Sequence, residues 1–171
     1  MAAAASAAKA CWPGGPSRGV HKVVIGFRCS PQGIALVALK GTRGSPILVT
    51  SDVAKRPANL TDPAFFSWVH KEIKDLLTTN SPKRISFKKA EHGPSRSSST
   101  ERRAQVEAVL QVAAYDAGYK QIAGMTKSQI AAAIGFEGTI KEVIVALDGT
   151  PLEDLRKDER GEAALVAWSI L

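Results

Sequence analysis

Three apolar runs crowd into the first third of the chain, and they constrain its fold more than any other feature. They are HKVVIGF (21–27), GIALVALKG (33–41) and SPILVTS (45–51), separated by RCSPQ and TRG. They are rich in β-branched residues, and the connectors hold Pro or Gly, so the segment reads as a three-strand antiparallel meander. VVIGF and IALVAL are almost continuously apolar, which predicts strands covered on both faces.

The pattern then changes period. NLTDPAFFSWVHKEIKDLLTTN (59–80) places Phe65, Phe66, Val69, Ile73, Leu76 and Leu77 on one helical face. Thr61 or Asp62 serves as its cap, with Pro63 in the first turn. RISFKKA (84–90) is a short strand, with Ile85 and Phe87 on one face and Ser86 and Lys88 on the other, outward one. EHGPSRSSST (91–100) is a polar loop. Ser98 and Glu101 have capping-box spacing and open a long helix through Val106, Val109, Leu110, Ala113 and Ala114 to Gly118. YKQIAGM (119–125) is a fifth strand, TKSQIAAAIG (126–135) and FEGTIKEVIVALDG (136–149) are short helices, and LEDLRKDERGEAALVAWSIL (152–171) is a last helix. The order β-β-β-α-β-α-β-α-α-α is a mixed α/β domain with helices on both faces of a five-stranded sheet.

Composition narrows the function classes. With 44% hydrophobic and 23% charged residues, the chain is ordinary for a globular protein. No apolar run reaches membrane-spanning length. Residues 1–20, rich in Ala, Gly and Pro, read as a flexible tail and a poor secretory signal, with Trp12 as an odd aromatic that could anchor a partner. The domain is residues 21–171. Cys11 and Cys29 match no disulfide or zinc pattern, so a reducing, cytoplasmic setting is expected. His21, His70 and His92 share no motif, and the glycines of Gly41-Thr-Arg-Gly44 precede no phosphate-loop lysine. The net charge of +7 is uneven: residues 21–110 carry +8 and residues 111–171 carry −3. A basic front half suits a phosphate-rich or acidic partner.

Several stretches in this order resemble the RuvC-like Holliday-junction resolvases of the ribonuclease-H-like superfamily. VVIGFRCSPQGIALVAL resembles the opening strand, turn and second strand, and ERRAQVEAVLQVAAYDAG the helix after the second catalytic strand. MTKSQIAAAIGFEGTIKEVIVAL carries Lys127, Gly135, Gly138 and Lys141 where the family has a Lys, a Gly-rich link and another Lys. DERGEAALVAWSIL resembles the last helix, in which two acids three apart precede an apolar run. The resemblance spans residues 21–171 and implies a DNA-cutting site of two divalent metals held by four carboxylates. Two such ions clamp the attacking and leaving oxygens of a phosphodiester.

Carried over residue by residue, that site is half missing. The first-strand acid falls on Arg28 and the mid-sheet acid on Lys88, while the helix pair falls on Glu159 and Glu162. The expectation is a degenerate site with no metal or other cofactor, in which Arg28 or Lys88 pairs with Glu159 or Glu162. The chain is then a non-cleaving subunit or adaptor that binds nucleic acid (DNA or RNA), a protein partner, or both. Arg28, Lys88, Lys89, Arg96, Arg102, Arg103 and Lys127 form the expected phosphate-binding set. The enzyme alternative is a Mg²⁺- or Mn²⁺-dependent structure-specific endonuclease whose ligands have shifted to Glu91, Asp158, Glu159 and Glu162. A third alternative is a structural component of an assembly, a homodimer included.

Overall fold

A computed structural model describes residues 23–91, 97–136 and 140–171, with residues 140 and 141 described by backbone alone. The tail, His92, Arg96 and Gly138 therefore lie outside the described residues, as does the side chain of Lys141. The elements are β1 (Val24–Ser30), β2 (Gly33–Thr42), β3 (Ser45–Lys55), α1 (Asp62–Asn80), β4 (Arg84–Lys88), α2 (Ser98–Asp116), β5 (Ala123–Met125), α3 (Lys127–Ile134), α4 (Ile140–Val143) and α5 (Glu159–Ser169).

The strands form one sheet in the order β3-β2-β1-β4-β5. β1–β2 and β2–β3 are antiparallel, whereas β4 lies parallel to β1 and β5 parallel to β4. Alternation along β1 divides the core. Ile25, Phe27 and Cys29 face α1 and α2, packing with Phe65, Val69, Ile73, Leu110 and Ala114. Val24 faces the other way, with Ala35, Val37 and Leu39 of β2, against α3 and α5. The near-continuous apolar runs of β1 and β2 thus have cover on both faces, for the reason expected.

Several boundaries differ from the sequence reading. β1 runs on to Ser30, because its ladder with β2 continues to the Ser30–Gly33 pair and leaves only Pro31 and Gln32 in the turn. Arg28 is therefore inside the strand. β3 extends to Lys55, and β5 keeps only three residues of the expected seven. The α2 cap is Ser97, whose hydroxyl accepts from the Thr100 amide, one residue ahead of the expected Ser98. The expected second short helix becomes a four-residue α4 followed by a 3₁₀ turn over Ile144–Leu147.

The last segment is two pieces rather than one helix. A 3₁₀ stretch, Glu153–Lys157, stops at Asp158, which adopts an extended backbone and caps α5 by accepting from the Arg160 amide at 2.8 Å. Glu159 is thus placed in the first turn of α5. Gly26 lets that helix settle onto β1: a β-carbon there would overlap the Ala163 carbonyl and the Ala167 amide. Glu159 and Glu162 precede Ala163 and Ala167 on the same helix, and Arg28 follows Gly26 by two residues on the same strand face. The glycine therefore brings the acidic first turn over the arginine.

Candidate functional site: cations where strand carboxylates are expected

Arg28 and Lys88 are register partners on the parallel strands β1 and β4. They share the face that carries α5, about 4.8 Å apart across the ladder. Arg28 bonds both acids of the α5 first turn. Its Nη1 donates to Glu159 Oε1 at 3.0 Å and its Nε to Glu162 Oε2 at 3.3 Å. The arginine side chain is only 20% exposed. A planar guanidinium can bridge two carboxylates one helical turn apart, which a single ammonium does less well.

Lys88 behaves differently. Parity placed it on the outward face, but α5 covers that face, and Lys88 is 1% exposed. Its ammonium donates to the Lys89 carbonyl at 2.7 Å and to Glu91 Oε1 at 2.6 Å. Burial pulls its pKa below the ordinary lysine value, and the Glu91 carboxylate opposes that. Glu91 Oε1 also accepts from the Lys127 amide at 2.7 Å, so this one oxygen joins β4 to the start of α3. Burial pushes the Glu91 carboxyl up, but the bonds from Lys88 and the Lys127 amide outweigh it and hold the group below the usual carboxylate range. Glu91 is thus held by its own chain's cation and amide.

The expected phosphate-binding set is dispersed in its roles. Lys89 and Lys127 are exposed beside this cluster. Buried as it is, Lys88 does not reach solvent. Arg103 points inward: its Nε donates to Glu107 Oε1 at 3.0 Å and its Nη2 to the Lys88 carbonyl at 2.8 Å. Arg102 binds Asp62 of α1 through both terminal nitrogens and stacks 4.5 Å from the centre of the Phe66 ring. Those bonds hold the Asp62 carboxyl below its ordinary range. Both arginines therefore tie α2 to its surroundings.

One residue at the site escaped the sequence reading. Glu107 is buried in α2, where it holds Arg103 and accepts from the Ala90 amide at 2.9 Å. Its signal was the Arg103–Glu107 spacing of four, which resembles any surface helix pair. Cys29 is fully buried against this region, and burial raises its thiol pKa. Among the described residues, no three His, Cys, Asp or Glu side chains converge as a metal site would require.

The chain superposes on T. thermophilus RuvC in complex with a Holliday junction substrate, with a TM-score of 0.68 and 17% identity, over 87% of this chain and 92% of that one. A second T. thermophilus RuvC structure gives 0.69 and 15%, over 86% and 92%. The yeast mitochondrial Holliday junction resolvase Ydc2 gives 0.60 and 14%, over 90% and 79%. Neither a protein-family model nor a curated protein matches the chain. The chain has a RuvC-like, ribonuclease-H-like fold. Among the described residues, no helix is long and apolar enough to cross a membrane.

Proposed function

We propose that this chain is a non-cleaving member of the RuvC-like fold, which binds nucleic acid at the C-terminal ends of β1 and β4 without a catalytic metal pair. The observation that carries the proposal is the pair of hydrogen bonds that Arg28 donates, one to Glu159 and one to Glu162. The two helix acids that would hold metal are engaged by a cation of the adjacent strand.

Fit to a metal pair is poor on three counts. Two of the four expected ligand positions carry cations. A cation ~4 Å from Mg²⁺ is repelled by several kcal/mol even at an effective dielectric of ~20. The shifted ligand Glu91 is committed to Lys88 and to the α3 amide. No catalytic step is therefore derived through a metal. The arrangement performs internal neutralisation: Arg28 closes α5 onto β1, and Lys88 with Glu91 closes β4 onto α3.

Support for nucleic acid as the partner is separate. One neighbour of this fold was solved on a Holliday junction substrate, the front half of the chain is basic, and Lys89 and Lys127 are exposed beside the cluster. Such contacts neutralise phosphates and release counterions. The test has two parts. Full-length protein with Mg²⁺ or Mn²⁺ leaves four-way, flapped and single-stranded DNA uncut, while it binds at least one of them with steep salt dependence. Metal-dependent cleavage that Glu162→Ala abolishes would overturn the proposal. Absent binding would leave the protein-partner alternative.

A further inference from the structure

A second groove lies at the opposite end of the sheet, where β4 begins and α2 ends. It encloses about 770 Å³, within the ~300–1,000 Å³ typical of small-ligand sites. Ile85, Ile122 and Ile170 supply apolar lining, and Tyr115 and Tyr119 supply aromatic rings. Lys83, Arg84 and Lys120 bring positive charge, and none of the described residues lining the groove is acidic. Tyr115 is 66% exposed, an unusual position for a large aromatic ring on a packed helix. Gln111 and Gln121 add amides; the Gln111 amide also donates to the Glu107 carbonyl at 3.2 Å. Arg84 reaches the Leu171 main-chain oxygen at 3.4 Å.

The charge selects the occupant. The chain enters β1 at this same end, since the Lys83 amide donates to the Val23 carbonyl at 2.8 Å. The 22 residues before Val23 contain Lys9, Arg18 and Lys22 and no acid, so they repel the groove rather than complement it. A complementary ligand is anionic, and one that also uses tyrosine faces and side-chain amides carries a flat polar ring. From this we infer that the groove binds a nucleotide unit, its base stacked on Tyr115 or Tyr119 and its phosphate held by Arg84 and Lys120. Base–tyrosine stacking and phosphate neutralisation are the general means of holding unpaired nucleic acid.

This site is separate from the Arg28 cluster. Arg84 and Lys88 are four residues apart on β4, about 13 Å along the strand. The inference does not depend on the fate of the metal site.

The experiment uses the full chain and four probes: inorganic phosphate, adenosine monophosphate, a labelled deoxythymidine ten-mer and an acidic peptide. Tyr115→Ala weakens the nucleotide probes about tenfold, and Tyr115→Phe restores them, because stacking needs the ring and not the hydroxyl. Lys120→Glu weakens them similarly and lowers the salt slope by about one. Both positions are exposed, so neither change threatens the fold. Equal affinity for the monophosphate and the ten-mer identifies a free nucleotide as the source, and a far tighter ten-mer identifies a strand; either supports the shared chemistry. The inference is overturned if phosphate binds as tightly as the monophosphate. It is equally overturned if an acidic peptide, but neither nucleotide probe, responds to Tyr115→Ala and Lys120→Glu. Ten-mer binding lost only in Lys89→Glu with Lys127→Glu overturns the groove and leaves the first site standing. Loss only in the groove variants does the reverse.

Discussion

Arg28 and Lys88 sit side by side on neighbouring strands, yet they are handled in opposite ways. Arg28 is partly exposed and reaches acids more than 130 residues away in sequence. Lys88 is buried and satisfied within three residues of itself. The difference follows from the covering elements. Gly26 lets α5 lie close, so the acidic first turn is directly over Arg28. Just beyond β4, the same segment supplies the Lys89 carbonyl and Glu91, and both accept from the ammonium. Two cations at matched strand positions therefore make one long-range clasp and one local knot.

The comparison predicts a graded set of losses. The largest belongs to the support beneath the local knot. Glu107→Ala leaves Arg103 without its carboxylate and the buried Ala90 amide without an acceptor, so chemical denaturation should show a loss of about 3 kcal/mol. A loss below about 1 kcal/mol would mean that the end of β4 is held by something else. Arg28→Ala comes next. It leaves Glu159 and Glu162 facing each other, but both are partly exposed, so the cost is about 1 kcal/mol and shrinks at high salt. A cost equal to that of Glu107→Ala would erase the distinction between clasp and knot.

Lys88→Met should cost least, within about 1 kcal/mol of wild type, because a buried ammonium contributes little net stability and the freed Glu91 can reach water. Its signature is in the pH dependence. Burial lowers the Lys88 pKa, so the unfolded chain holds more protons between the folded value and the ordinary lysine value, and wild-type stability rises with pH across that interval. Lys88→Met removes the rise. Glu91 acts at the acid end. Its depressed pKa adds stability above its unfolded value, which is lost as pH falls through the folded one, and Glu91→Gln flattens that acid limb.

The legible and illegible parts of the molecule separate along the same line. The sheet and the two helical layers could be read because β1, β2 and α1 bury what their periodicity says they bury. The acid pair on α5 was singled out by the resemblance of DERGEAALVAWSIL to the last helix of the RuvC-like resolvases, and its spacing of three is one that puts both acids in the same helical turn. The fate of Lys88 could not be read, since strand parity gives a face but not what covers it, and here α5 covers the outward one. Nor could the role of Arg102, which depends on α1 and α2 packing so that Asp62, 40 residues away, meets it. The break at Asp158 was missed because Arg, Lys, Glu and Ala on either side favour a helix, although Asp158 is itself a favoured N-cap residue and Gly161 a poor helix former. Only the cap geometry shows that the helix restarts there.

The most direct test of the account is a Mn²⁺ titration of the full-length protein followed by calorimetry, beside the Arg28→Asp, Lys88→Asp double variant. The account predicts no stoichiometric binding by the wild type, and binding by the double variant that Glu162→Ala removes. Stoichiometric Mn²⁺ binding by the wild type, lost in Glu162→Ala, would contradict the claim that strand cations have taken the place of metal.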